Sequence, residues 1–244
     1  MSNFIFQKIF DANSFLVNPS KKLGLLGLLN ILQDSAVEHA EELGFGLEKM
    51  IERQTFWVLA RQILKMNEWP KWRDKIEIHT WTRPIDGMYA NRDFEIYSNG
   101  AKKGSACFSF MVVDGKTRRA VKPQFSDREL SARKDFNLDF VPSKLKHEFN
   151  HEKIKEFEVR NSDLDLNLHV NNIKYAQWIL DAIPFEMHSK YFLKEYEINF
   201  LKETLLGDKV KLFDGRPIDQ SHYFQGRRAK DDQPVFTARL EVES

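Results

Sequence analysis

The sequence predicts an α+β protein built from two copies of one unit, each a long helix followed by a series of antiparallel strands. Three observations predict it. Each half of the chain holds an amphipathic helical stretch and then short period-two runs separated by turn residues. Two short strings recur in the same order: Arg73-Asp-Lys-Ile76 returns as Gly207-Asp-Lys-Val210, and Arg83-Pro-Ile-Asp86 as Arg216-Pro-Ile-Asp219. Their offsets, 134 (208 − 74) and 133 (216 − 83), are nearly equal, as a duplication requires. Between the halves, Lys122 to about Ile154 is charged, carries Pro123 and Pro142 and shows no sustained period. The expected domains are therefore 1–121, a linker over 122–154, and 155–244.

In chain order, Phe4, Phe6 and Ile9 predict an opening strand, and Asn18-Pro19-Ser20 a turn. A helix over Leu23 to Leu43 places Leu25, Leu29, Leu32, Ala36 and Leu43 on one stripe, with Gly44 as its C-terminal cap. Such a helix is about 30 Å long, enough to cross a sheet. Strands follow at Phe56 to Met66, Lys75 to Trp81, Tyr89 to Tyr97 and Lys103 to Val113. In the second of these, Lys75, Glu77 and His79 alternate with Ile76, Ile78 and Thr80, so one face is exposed. Ser98-Asn-Gly100 and Asp114-Gly115 mark turns. The linker holds a short helix near Asp127 to Lys134. The second half repeats the plan with a strand at Lys155 to Val159 and a helix from Val170 to Ile183, which Pro184 stops. Its apolar stripe is Ile173, Ala176, Leu180 and Ile183. Further strands are expected at Leu193 to Lys202, Lys209 to Phe213, Ser221 to Arg227 and Val235 to Val242.

Composition narrows the classes of function. The 244 residues are 42% hydrophobic with 20 Phe and 5 Trp, ample for a core. Thirty-seven basic against 36 acidic residues argue against a general nucleic-acid binder. The single Cys107 excludes an intramolecular disulfide and a cysteine zinc cluster, and its apolar setting, Ala106-Cys-Phe-Ser-Phe-Met, predicts a buried inert thiol. Gln33, Asp34, Glu38, Glu41 and Glu42 interrupt the leucine-rich helix, which makes it a soluble amphipathic helix and not a membrane span. Met1-Ser-Asn-Phe-Ile-Phe-Gln enters structured sequence at once, so neither a signal nor a transit peptide is expected and a cytoplasmic protein is. The seven histidines lack metal-ligand spacing; His147 and His151 are four apart but sit in the linker. No metal and no cofactor are expected.

The stretch from Asn161 to Ile183 carries the chemistry. Asp165, Asn167 and His169 alternate with Leu164, Leu166 and Leu168, and an extended segment would put the polar three on one face while the leucines anchor the other. They lead into a helix start, where unpaired backbone amides favour developing negative charge. Asp163 reads as a turn or cap residue. Spacing alone leaves the trio balanced between a catalytic site and a polar loop. The first half has no equivalent run before its helix, and the position 134 residues before Glu203 is Trp69 (203 − 134). One half would then be catalytic and the other would shape a pocket.

The run Ser162 to Tyr175, reading Ser-Asp-Leu-Asp-Leu-Asn-Leu-His-Val-Asn-Asn-Ile-Lys-Tyr, closely resembles the acyl–acyl carrier protein thioesterases of plants and bacteria. The resemblance extends over nearly the whole chain through Gln33-Asp-Ser-Ala with His39, Phe56-Trp-Val-Leu-Ala-Arg61, Trp69-Pro-Lys-Trp72, Asp74 and Thr117-Arg-Arg119. It implies a tandem double hotdog, each half a long helix wrapped by an antiparallel sheet. It implies hydrolysis of the thioester between a fatty acyl chain and acyl carrier protein, with Asp165, Asn167, His169 and Glu203 as catalytic residues. The plant members usually have Cys directly after the glutamate; here Thr204 stands there, so no Cys–His mechanism operates at that position. The absence of a plant-type transit peptide points to a bacterial member.

On this reading Leu25, Leu28, Leu29 and Leu32 line an acyl tunnel, although their helical core spacing favours ordinary core packing. The acidic carrier protein would dock on Lys116, Arg118, Arg119 and Lys122, together with Lys21 and Lys22, unless these form only a solvated charge run. An acyl-CoA thioesterase of the same fold is the nearest rival, and a non-catalytic acyl-binding module the rival of another class. Neither nucleic acid nor membrane insertion is expected; a homodimer is left open.

Overall fold

The computed structural model describes residues 5–126, 129–150, 152–185 and 192–243. The chain divides into two compact units, Met1–Pro142 and Ser143–Ser244.

In the first unit, β1 (Phe6–Asp11) precedes α1 (Leu25–Glu42) and a short α2 (Leu47–Glu52). Then come β2 (Thr55–Met66), β3 (Lys75–Thr82), β4 (Ala90–Ser98), β5 (Ala101–Asp114) and the two-residue β6 (Ala120–Val121). The strands pair antiparallel in the order β1-β3-β4-β5-β2, with β6 on β5. Every predicted strand of this half is present, with ends within about two residues. The alternation of β3 is as expected: Ile76, Ile78 and Thr80 are fully buried while Lys75 is exposed. α1 is buried well beyond one stripe, since Leu28, Gly27, Ile31, Ser35 and His39 are covered too. A β-carbon at Gly27 would lie 2.4 Å from the Leu16 carbonyl oxygen, so only glycine admits this approach of helix and loop. Gly44, at φ +74, ends the helix in the left-handed conformation that glycine tolerates.

The second unit repeats the order. β7 (Lys155–Glu158) precedes α3 (Asn172–Ala182), then β8 (Phe192–Phe200), β9 (Lys209–Asp214), β10 (Ser221–Arg228) and β11 (Pro234–Glu243). Its sheet runs β7-β9-β10-β11-β8, the first unit's arrangement strand for strand. The recurring strings fall at matching places: Lys75 and Lys209 open β3 and β9, and the Arg-Pro-Ile-Asp strings occupy the loops that follow. α3 departs from its predicted stripe. Tyr175, Ala176, Trp178 and Ile179 are its buried residues, while Ile173, Leu180 and Ile183 are half-buried. The aromatics decide this, because Trp178 stacks on Phe157 at 5.6 Å and Tyr175 meets Phe200 and Phe236 edge-on.

Residues 122–154 form no helix or strand among the described residues, yet they are tied down. Leu130 and Ala132 pack with Phe45, beside Trp57 and Phe125. Leu138 N donates to the buried Asp93, and Arg83 spans from Asp93 to the Phe140 carbonyl. In the second unit Asn199 grips both the Leu145 amide and the Ser143 carbonyl. The helix expected near Asp127 to Lys134 is not formed over residues 129–134, where Arg133 N bonds to Thr82 O instead. Asp127, Arg128, Phe4, His151 and His188 lie outside the described residues.

Candidate active site

Asn161–Asp163 form one 3-10 turn closed by its own ends, the Arg160 amide donating to Asp163 Oδ2 at 2.8 Å. The Asp163 carbonyl accepts the Asn171 amide at 2.8 Å, and Lys174 lies 3.4 Å from its carboxylate. Asp163 thus closes the base of a loop, the turn role expected of it. At the far end Asn171 caps α3, its Oδ1 accepting from Ile173 N at 3.0 Å.

Between these fixtures the chain is not the extended segment that the alternating leucines suggested. Leu166 is 92% and Leu168 71% exposed, so neither anchors a face. Leu168 sits at φ +62, a left-handed conformation unfavourable to a side chain larger than glycine's. Asp165 imposes the turn. Its Oδ1 accepts the amides of Asn167 at 2.8 Å and His169 at 3.3 Å, its own amide donates to the His169 carbonyl, and its carbonyl accepts from Leu168 N. These four bonds outweigh the period-two pattern. Asp165 therefore fixes Asn167 and His169 through their backbone, while the Asn167 side chain projects outward, exposed.

The second arm is the loop after β8. Val170 N donates to the Thr204 carbonyl at 3.2 Å. The Thr204 hydroxyl, fully buried, meets the Tyr175 hydroxyl of α3 at 2.6 Å. Burial, with the nearby Glu203 and Asp165 carboxylates adding to it, pushes the Tyr175 phenol up to about 12. Thr204 is therefore a clasp between loop and helix, unsuited to act as a nucleophile. The clasp holds Glu203 beside the first loop: His169 Nε2 is 3.5 Å from Glu203 Oε2, both side chains partly exposed. Two groups separated by 34 positions (203 − 169) in the sequence thus meet. Leu166 and Leu168 of the first loop and Leu201, Leu205 and Leu206 around Glu203 are all exposed.

Backbone amides at the start of α3 are largely taken. Asn171, Ile173 and Lys174 donate to Asp163 O, Asn171 Oδ1 and Asn171 O. An oxyanion near His169 would then rely first on the Asn167 side-chain amide. Sequence reasoning missed the Tyr175–Thr204 clasp; a polar side chain four positions into the helix, matched by a hydroxyl after Glu203, was its one signal.

The remaining predicted residues lie elsewhere in the fold. Leu25, Leu28, Leu29 and Leu32 are buried on α1. Lys116, Arg118 and Arg119 are exposed at the turn joining β5 to β6, which Asp114 Oδ1 shapes by accepting from Lys116 N and Thr117 N, and Lys122 is exposed just after β6. Cys107 is buried and its thiol raised well above its usual range, first by burial and then by Asp93. Among the described residues no cluster of three or more His, Cys, Asp or Glu could hold a metal, and no helix is long and apolar enough to cross a membrane.

Fold and site define a tandem hotdog protein with an acid–imidazole pair in its second repeat. The acyl-ACP thioesterase N-terminal domain model matches residues 3–125 and the C-terminal domain model residues 146–233. The chain belongs to the acyl-ACP thioesterase family. It is 28% identical over 222 residues to a chloroplastic dodecanoyl-[acyl-carrier-protein] hydrolase of Cinnamomum camphora, covering 83% of this chain and 57% of the relative. An acyl-ACP thioesterase from Bacteroides thetaiotaomicron superposes with a TM-score of 0.90 at 24% identity, over 98% of each chain. The 12:0-ACP thioesterase from Umbellularia californica gives 0.88 at 22%, over 100% of this chain and 98% of that one. The chain spans about three-fifths of the length of the curated relatives it matches.

Proposed function

We propose that the protein hydrolyses the thioester of fatty acyl chains carried on acyl carrier protein, releasing the free acid. The observation that carries this is the His169–Glu203 pair at 3.5 Å beside an exposed asparagine amide, in a member of this family. Thioester hydrolysis needs an activated nucleophile and a donor for the tetrahedral oxyanion. Glu203 and His169 orient and deprotonate a water; the 3.5 Å spacing is of the loose kind that tightens when substrate arrives. The Asn167 amide holds the carbonyl oxygen, and Asp165 keeps Asn167 and His169 in place. Collapse of the intermediate breaks the carbon–sulfur bond, and the departing thiolate takes a proton from His169.

The first repeat takes the acyl chain along the apolar face of α1 that carries Leu25, Leu28, Leu29 and Leu32. The basic turn of Lys116, Arg118 and Arg119, with Lys122, receives the acidic carrier. Replacing both Arg118 and Arg119 by Glu should raise KM for carrier-bound substrate severalfold and leave KM for acyl-CoA nearly level; equal changes in both would remove this turn from docking.

The decisive experiment is steady-state hydrolysis of acyl chains on carrier protein and on CoA, with Glu203→Gln alongside. Faster turnover on carrier protein, lost by about 100-fold or more in the variant while folding and acyl binding persist, is expected. Normal turnover of the variant would sink the Glu203 assignment. A preference for CoA would make the protein an acyl-CoA thioesterase.

A further inference from the structure

The helix-facing side of the first sheet holds a polar row that the chemistry above does not use. In register across four strands stand Gln62 of β2, Phe108 of β5, Arg92 of β4 and Thr82 of β3. Directly paired residues project to the same face, and Arg92 reaches the α1 side, where its Nη1 contacts His39 Nδ1 at 2.6 Å. Arg92 is 4% and Gln62 3% exposed. A buried guanidinium ordinarily has a carboxylate partner, because an unpaired charge away from water is costly. Among the described residues none pairs with Arg92. Its contacts are His39 and a long 3.4 Å approach to Thr80 Oγ1, both through Nη1. Burial pulls Arg92 down to about 9 and, together with Arg92, holds His39 neutral at about 3, so His39 accepts a hydrogen bond without cancelling charge.

The parallel N–H pair at Nε and Nη2 is thus left without a partner among the described residues. In the same unit Arg83 uses this very pair, Nε and Nη2, to grip the Asp93 carboxylate at 2.7–2.9 Å. The Gln62 amide likewise makes no hydrogen bond to a described residue, and Phe108 stands between it and Arg92. The row therefore presents a charged fork and an amide without a hydrogen bond to the described residues, on a largely buried sheet face that also carries Phe94 and Ile96 of β4 and Ile78 of β3.

We propose that Arg92, assisted by Gln62, is a subsite inside the first unit for an oxygen acceptor carried on the acyl chain, best fitted by a carboxylate at the chain's far end. This rests on the reading that the first repeat takes the acyl chain, and it adds a substrate class: oxygenated rather than plain acyl groups. A carboxylate satisfies the side-on fork and supplies the missing negative charge; a keto or hydroxyl oxygen satisfies one arm of it.

The test is binding of carrier protein loaded through a non-hydrolysable amide with a plain chain, a chain of equal length ending in carboxylate, or one with a mid-chain keto group. Wild type should hold an oxygenated chain about 10- to 100-fold more tightly than the plain one, the span of one charged hydrogen-bonded contact. Arg92→Met should abolish that preference and Gln62→Leu reduce it. No preference in wild type, or one surviving in both variants, overturns the subsite. If Arg92→Met does not fold, Gln62→Leu decides: an undiminished preference there overturns the two-group site. Turnover of the thioester-linked counterparts separates the two readings. Binding preference without hydrolysis removes the thioesterase function and keeps the subsite; hydrolysis without preference does the reverse.

Discussion

Asp165 is the residue on which the second repeat's loop depends, and its work is done on backbone. Its carboxylate oxygen holds two amides, of Asn167 and His169, so an isosteric side chain with one acceptor oxygen should serve nearly as well. Asp165→Asn is expected to keep turnover within about 10-fold, and Asp165→Ala to lose far more, since the loop would no longer be closed. Equal losses in both, measured as kcat/KM, would mean that the negative charge itself matters. Leu168 supplies a second check. An exposed leucine at φ +62 contributes strain and little packing, so Leu168→Gly should leave stability level or raise it by up to about 1 kcal/mol, and Leu168→Val lower it by about as much, in urea unfolding. Asp165, Asn167 and His169 were legible as an alternating polar run, though spacing alone left them balanced with a polar loop, and Glu203 entered as a catalytic residue only through the family resemblance. The conformation of the run was not legible, because a leucine at every second position reads as a strand until the hydrogen bonds of Asp165 are counted.

At the scale of elements, the strands were readable from period-two alternation, and α1 from its leucines and terminal glycine. α2 left no such trace: of six residues only Met50 is buried, too few for a stripe. The ties of the connecting segment were equally hidden, since they join residues far apart in sequence. Asp93, fully buried on β4, accepts from Arg83 through both oxygens and from Leu138 N at 2.9 Å. Burial pushes its carboxyl up, and Arg83 with the Leu138 amide works against that. Asp93→Ala would strand a largely buried guanidinium and an unpaired amide. It should cost about 3–5 kcal/mol, read as a fall in urea midpoint with little change in slope. A loss below about 1 kcal/mol would show that the segment from Arg133 to Phe140 is held by its apolar contacts alone.

Across the whole chain, duplication explains both the likeness of the halves and their difference. One strand order occurs twice, and equivalent loops carry Trp69, buried, in one unit and the Glu203 loop in the other. Divergence also left the first unit with a buried imidazole, and that group should govern how the folded protein answers acid. His39 is lowered from 6.5 to about 3, by burial first and the Arg92 charge second. Between those values the unfolded chain binds the proton and the folded one does not, so stability rises with pH across that window and is lost as pH falls from 6.5 towards 3. Near pH 5 the loss amounts to about 2 kcal/mol at 1.36 kcal/mol per unit. Carboxylates held low by partners, such as Asp208 with Lys230 or Glu68 with Lys103, give a loss of the same sign only below their ordinary values of 3.8 and 4.5. Unfolding measured in urea at a series of pH values should therefore fall off well above the carboxylate range. In His39→Asn, which keeps an acceptor for Arg92 without a titrating ring, that upper limb should flatten. An unchanged limb would place the acid sensitivity elsewhere and show that His39 is protonated in the folded state more readily than its burial implies.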